Sequence, residues 1–234
     1  VSRPLCIIDG SNLARRAYHA GGSLGVIHAA AKVRALYGEN IEVVAAWDGP
    51  PPTWRHRLWP AYKAHRERHP EALAAVRQEY KEARAQGIVG IMARDGEADD
   101  AAATLAHRAR GAGRPVVVVS SDKDWGQLMA IGCEWLAPVA GGALEKRTED
   151  WFIDRYGCGP EDWPDYVGLA GDSTDGIPGV RGIGPKKAAA LLAKFGSLEG
   201  ALNGCKLEGE VRQLAYTSCS LAGLDASSDI DWRD

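Results

Sequence analysis

The sequence has no apolar run long enough to cross a bilayer, which needs about 18–20 residues. Its longest compact apolar run is Val116 to Val119. The N-terminus offers no signal-peptide core either, because Asp9 interrupts a short apolar stretch at once. Five cysteines (Cys6, Cys133, Cys158, Cys205 and Cys219) are odd in number and scattered. None stands at CxxC spacing, so neither a zinc site nor a disulfide scaffold is indicated. Internal repeats and low-complexity segments are lacking. A soluble, cytoplasmic protein with no membrane partner is expected.

A large charge excess is also lacking: the net charge of the 234 residues is −3. Taken as a sum, that speaks against nucleic acid, but charge location matters more than the total. With 45% hydrophobic and 25% charged residues the chain is of ordinary globular composition. Disorder as the main state is excluded.

What is present is an alternation of strands and helices. Strands are predicted at Leu5 to Ile8, Glu42 to Trp47, Ile88 to Met92 and Val116 to Ser120. The last is a continuous β-branched run, as in a strand buried on both faces. A helix is predicted after Asp9, with Leu13, Ala17 and Ala20 at helical spacing. Others are predicted at Ile27 to Tyr37, Glu71 to Gln86 and Glu97 to Arg110, and after Asp124. Pro50, Pro51 and Pro52 forbid regular structure. This pattern predicts a parallel α/β sheet. From Cys158 the character changes to short helices with Gly and Pro, and Pro164 to Phe195 reads as helix, hairpin, helix. The expected domains are 1–157 and 158–234, with an excursion over about residues 50–87.

Three predicted strands end in carboxylates: Asp9, Asp48, and Asp122 with Asp124. Ligand crevices of parallel sheets lie beyond the carboxyl ends of the strands, so these acids should converge. Glu97, Asp99 and Asp100 cluster at a helix start, and Asp172 and Asp175 stand three apart. Any one of these acids is explained as a helix cap. The set is not, because packed carboxylates repel unless cations neutralise them. Oxygen-only ligands suit Mg²⁺ or Mn²⁺ rather than zinc. Two such ions, about 3.5–4 Å apart, clamp the attacking and leaving oxygens of a phosphodiester displacement. Asp100 is the expected bystander, since adjacent helical residues point about 100° apart. Leaving the nine acids out of the count turns −3 into +6, and the objection to nucleic acid falls.

Arg55 to Arg68 carries five Lys or Arg and one Glu, interleaved with Trp59 and Tyr62 and preceded by Trp54. Such a pattern suits single strands, through phosphate contacts and base stacking. Lys63 and Arg66, three apart, would share one face of a helix. Gly179 to Lys187 reads GVRGIGPKK. Its glycines permit a tight turn, and the helix that follows offers backbone N–H groups, with Lys186 and Lys187 adding charge. It is neither a P-loop nor a dinucleotide fingerprint, because Pro185 parts Gly184 from Lys186 and no strand precedes it.

These residues resemble the 5′-nuclease family of flap endonucleases, phage 5′ exonucleases and the 5′–3′ exonuclease domain of bacterial DNA polymerase I. The resemblance runs from Leu5 to at least Leu202. It is carried by Ile-Ile-Asp9-Gly-Ser-Asn-Leu, Arg16-Ala-Tyr, Trp-Asp48-Gly, Tyr62-Lys63, Gly96-Glu97-Ala-Asp99-Asp100, Ser121-Asp122-Lys-Asp124 and Gly171-Asp172-Ser-Thr-Asp175-Gly-Ile-Pro-Gly-Val. It implies a PIN-like parallel-sheet nuclease core with a helical arch, plus a small all-α helix–hairpin–helix module. It implies metal-dependent hydrolysis of DNA at 5′ flaps, forks or nicks, in replication and repair. By resemblance the metal ligands are Asp9, Asp48, Glu97, Asp99, Asp122, Asp124, Asp172 and Asp175, holding two or three Mg²⁺ or Mn²⁺ ions. Asp100 matches the motif too. Lys63 and Arg66 become catalytic cations. Arg16, Tyr62 (as a base-stacking ring), Gly182, Gly184, Lys186 and Lys187 become DNA contacts, with K⁺ on the hairpin carbonyls. A monomer is expected. Two departures stand out: the family's Asp-Asn before Ile-Pro-Gly is Asp175-Gly176 here, and the part after Phe195 is short. No polymerase domain follows, so a stand-alone nuclease is expected. The competing expectations are a PIN-type ribonuclease and an inert DNA-binding relative.

Overall fold

The computed structural model describes residues 2–19, 25–67 and 69–233. Ala20 and Arg68, both used above, lie outside the described residues. The chain forms two compact units. The first comprises Val1–Thr53, Arg68–Arg147 and Leu224–Asp234; the second comprises Trp54–Glu67 and Thr148–Gly223. Part of the predicted arch and the helix before residue 157 belong to the second unit, and the C-terminal segment belongs to the first.

The first unit is built on strands β1 (Leu5–Asp9), β2 (Glu42–Trp47), β3 (Val89–Ala93), β4 (Val116–Val119), β5 (Glu134–Pro138), β6 (Leu144–Arg147) and β7 (Ile230–Arg233). Their order in the sheet is β6-β5-β4-β1-β2-β3-β7. The five central strands run parallel, and β6 and β7 are antiparallel edges. β1 is buried throughout and lies between β2 and β4, which is why both lanes of its side chains are apolar until Asp9. The chain winds outward from β1 through β2 to β3, and then restarts on the other side at β4. The topological switch point therefore lies between the carboxyl ends of β1 and β4.

Helices of this unit are α1 (Gly10–His19) and α2 (Val26–Tyr37). In the second unit comes the one-turn α3 (Trp54–Leu58), followed in the first by α4 (Pro70–Ala85) and α5 (Ala98–Gly111). One face of the sheet, with Cys6, Ile8, Val43, Ala45 and Trp47, packs against Leu13, Ala30, Val33 and Val76 from α1, α2 and α4. α5 packs on β1 to β4 with buried Ala98, Ala101, Ala102 and Leu105. Small residues there let the helix lie close to the sheet. The segment Lys123–Ile131, expected as an α-helix, is 3₁₀.

The second unit contains α6 (Glu149–Tyr156), α7 (Trp163–Ala170), α8 (Pro185–Phe195), α9 (Leu198–Gly204) and α10 (Gly209–Ala222). α7 packs on α8, α9 and α10. Phe152, Tyr156, Trp163 and Tyr166 form an aromatic core, with Trp163 stacked on Tyr166 at 5.1 Å between centroids. No described helix is long and apolar enough to cross a membrane.

Candidate active site

In the first unit the acids gather where the topology directs them. Asp9 is the last residue of β1 and is 2% exposed. Its Oδ2 accepts the Ser120 hydroxyl at 2.6 Å and its Oδ1 accepts the Asn12 N–H at 3.0 Å. Burial lifts its pKa from 3.8 to about 8; these two hydrogen bonds pull it down, and the charges of Asp122 and Asp48 push it up. Positive charge added beside a carboxyl group so placed favours its ionised form.

Asp48 directly follows β2. Its Oδ1 accepts the Ala98 N–H at 3.1 Å, at the start of α5, and its Oδ2 accepts Arg15 at 3.0 Å. The Asp48 N–H donates to Ser11 Oγ at 2.9 Å. Asp122 caps the 3₁₀ segment, its Oδ1 accepting the Asp124 N–H at 3.1 Å. Asp99 accepts the Trp125 indole N–H at 2.8 Å. Asp124 lies 3.8 Å from the Lys123 ammonium. Asp9, Asp48 and Asp122 thus interact as charges, although 113 residues part Asp9 from Asp122 in the chain.

Glu97 is the N-cap of α5, and Asp100 completes a reciprocal capping box with it. Asp100 is 0% exposed, and it accepts the N–H groups of Glu97 and Asp225, each at 3.0 Å. Its carboxylate ties the 224–228 segment to α5. Of the three clustered acids, Asp100 is the one with a backbone N–H on each of its two carboxylate oxygens.

No three His, Cys, Asp or Glu among the described residues form a group that could hold a metal ion. The donor set nonetheless fits magnesium, which is ordinarily held by one or two carboxylates with water completing its shell.

The second unit holds the other expected residues. Asp172 and Ile177 close a tight loop, with Asp172 N–H to Ile177 O at 2.9 Å and Ile177 N–H to Asp172 O at 2.8 Å. Asp175, at the tip, is 8% exposed. Its carboxylate takes Lys63 at 3.6 Å, Arg66 in a short ion pair, and the Tyr62 hydroxyl at 3.4 Å. The structure thus joins Lys63, Arg66 and Asp175, which the sequence treated as separate groups.

Three expectations are corrected here. Residues 61–66 form turns rather than a helix, so Lys63 and Arg66 are brought together by their shared partner and not by helical spacing. Lys63 itself has φ +52, a left-handed conformation that costs a side-chain-bearing residue about 1–2 kcal/mol. Tyr62 is 3% exposed. Its ring packs against His56 and lies 4.9 Å from the Lys63 ammonium, so it is a support for Lys63 and presents no open face to a base. Arg55, counted among the phosphate cations, is 2% exposed and instead holds the carbonyls of Leu221 and Gly223 at the end of α10.

The hairpin glycines behave differently from each other. Gly182 has φ +82, which favours glycine, whereas Gly184 is an extended N-cap of α8 with open space where a Cβ would stand. Lys186 and Lys187 are exposed, with Lys187 Nζ 3.4 Å from the Gly182 carbonyl. Arg16 is exposed on α1. Sequence reasoning missed Ser120, Arg15 and Trp125, which set the positions of Asp9, Asp48 and Asp99. Only the polarity of Ser120-Ser121 after an apolar strand could have signalled one of them.

A parallel sheet with carboxylates at its switch point, joined to a helix–hairpin–helix unit, defines a hydrolytic, structure-specific 5′ nuclease. The chain belongs to the 5′-3′ exonuclease family: the N-terminal resolvase-like domain matches residues 4–157 and the C-terminal SAM fold matches residues 158–221. It is 40% identical over 204 residues to flap endonuclease Xni of Edwardsiella ictaluri, covering 83% of this chain and 78% of that protein. It is 37% identical over 207 residues to the thermostable DNA polymerase I of Thermus thermophilus, covering 82% of this chain but 24% of the polymerase. Among solved structures, T5 5′-exonuclease with bound divalent metal ions (zinc) shares the fold, with TM-score 0.76, 22% identity and coverage of 95% of this chain and 90% of that one. Flap endonuclease-1 from Methanococcus jannaschii shares it at TM-score 0.55 and 17% identity, covering 97% of this chain and 81% of that one.

Proposed function

We propose that the protein hydrolyses DNA phosphodiesters near 5′ ends, at flaps, forks or nicks, with Mg²⁺ or Mn²⁺ as cofactor. The observation that carries this reading is the buried Asp9 at the switch point, whose burial and acidic neighbours call for added positive charge. Metal-bearing relatives support it. T5 5′-exonuclease has been solved with divalent metal ions bound, and the T5 flap endonuclease as a pseudo-enzyme–product complex with DNA and metal ions.

In this reading Asp9, Asp48, Glu97, Asp99, Asp122 and Asp124 serve the ions in the first unit, and Asp172 and Asp175 serve in the second. When bound, two or three such ions supply activation of the attacking water and neutralisation of the leaving oxygen. Ser120 keeps Asp9 oriented, and Arg15 and the α5 amide keep Asp48 oriented. Lys63 and Arg66 stabilise the charge that develops on the phosphate. Gly182, Gly184, Lys186 and Lys187 grip a duplex backbone, with K⁺ on the hairpin carbonyls, and Arg16 adds a further phosphate contact. Such contacts fix position and carry no sequence information.

The test is to compare initial rates on a 5′-flap DNA and on a single-stranded RNA, with Mg²⁺ and with chelator. Rapid Mg²⁺-dependent release of the DNA flap is expected. Preference for the RNA would replace this reading with a ribonuclease, and binding without cleavage of either would make the protein an inert DNA-binding relative.

A further inference from the structure

Gly176 sits at the closest approach of two segments of the second unit. Its φ is +71, and a Cβ built on it would meet the Ala61 carbonyl oxygen at 2.7 Å. A backbone oxygen cannot swing aside as a side-chain tip can. The bare Cα therefore lets the 59–66 segment approach the 172–177 loop closely. The two are held together by the Lys63 N–H to the Asp175 carbonyl at 2.7 Å, the Trp59 indole N–H to the Gly176 carbonyl at 3.1 Å, and Arg66 Nε to the Thr174 carbonyl at 3.2 Å. The Lys63 and Arg66 charges on the Asp175 carboxylate complete the joint.

The left-handed Lys63 is part of the same arrangement. Strain of this kind persists only where surrounding contacts over-determine it, and here its own N–H is fixed to the loop.

We propose that Gly176 acts as the closure point of a clasp, in which Lys63 and Arg66 occupy Asp175 until a divalent cation competes for the same carboxylate. The competition rests on the reading of Asp175 as a metal ligand; the closure does not. Asn or Ala at 176 would hold the clasp open, because a Cβ at that position overlaps Ala61. Gly176 is in this sense a positioning residue for Lys63 and Arg66, and the clasp links metal occupancy to their release.

Hydrogen exchange of the full chain tests it, read on the peptide covering 59–67, with the amides of β1 and β4 reporting that the fold is intact. In chelator, wild type should protect this peptide. Gly176→Asn should exchange there about tenfold faster or more, with β1 and β4 unchanged. Trp59→Phe, which removes only the indole bond to the Gly176 carbonyl, should give a smaller acceleration in the same peptide. Saturating Mg²⁺ should speed exchange of the wild-type peptide and not that of Gly176→Asn. Calorimetric Mg²⁺ titration of wild type and Asp175→Asn accompanies the exchange data. Equal exchange of wild type and Gly176→Asn in chelator overturns the closure. Weakened Mg²⁺ binding in Asp175→Asn, with wild-type exchange insensitive to Mg²⁺, overturns the competition while the metal reading stands. Mg²⁺ binding indifferent to Asp175→Asn removes the metal reading of that residue, and the competition with it.

Discussion

The Ser120 hydroxyl donates to Asp9 Oδ2 at 2.6 Å while its oxygen accepts the Asp122 N–H at 2.9 Å. One small side chain thereby fixes the carboxylate at the end of β1 and the backbone of the acid that follows β4. The contact joins the two strands that flank the switch point.

Asp9 ties stability to pH. Its folded pKa, about 8, lies above its ordinary 3.8, so the folded state binds the proton more tightly than the unfolded chain. As pH rises from about 4 to about 8 the metal-free protein should lose stability, with the full cost present above about 8. Asp9→Asn removes that cost. In chelator its melting temperature should exceed that of wild type at pH 8, and the gap should close toward pH 4. Thermal denaturation across this range checks it, and a gap independent of pH would refute the raised pKa.

Asp122→Asn should abolish cleavage while leaving DNA binding intact or stronger. Loss of a carboxylate removes activation of the attacking or leaving oxygen, and less negative charge repels phosphate less. Single-turnover cleavage and equilibrium binding measure the two effects separately; normal turnover would remove Asp122 from the site.

Asp100→Ala should behave in the opposite way. The variant leaves two part-buried backbone N–H groups without their acceptor, which costs at most about 1–3 kcal/mol for each. Denaturant titration should show a loss of at most about 2–6 kcal/mol, with the rate per folded molecule within a few-fold of wild type. A large loss of rate in well-folded protein would make Asp100 a ligand.

Lys63→Ala should slow the chemical step by about 10²–10³-fold, the usual worth of a group stabilising transition-state charge, and should weaken duplex binding far less. Single-turnover rates at saturating enzyme decide. Rates equal to wild type would leave Lys63 as a partner of Asp175 alone.

Lys186→Ala with Lys187→Ala should weaken binding to duplex-containing substrates and leave the chemical step nearly intact. Each lost phosphate contact lowers the log–log salt slope by about 0.9 on B-form DNA, so two lower it by just under about 2. Affinity for a flap substrate across a salt series measures this, and the loss should be similar on unrelated sequences. An unchanged slope would show that neither lysine touches phosphate.

The sequence by itself determined the parallel core and the strand-end acids. Strands buried on both faces become continuous apolar runs, and VVVV before Ser-Ser-Asp states both the strand and where it stops. It also specified α8, through Pro185 in its first turn and Gly196 after its end. It did not disclose β5, β6 and β7. EWLAP, LEKR and IDWR are short, and β6 and β7 lie at the antiparallel edges, where one face or flank meets solvent and no apolar run is required. Helical spacing marked Asp100 as the bystander among its neighbours, but only the tertiary structure supplied its partner Asp225, which lies 125 residues away. Likewise, spacing suggested that Lys63 and Arg66 share a helix, whereas the folded chain gives them turns and a common carboxylate. Periodicity records which side of an element is buried; it holds no information about which distant group a polar side chain will meet, and that is where tertiary packing gave Ser120, Tyr62 and Arg55 their partners.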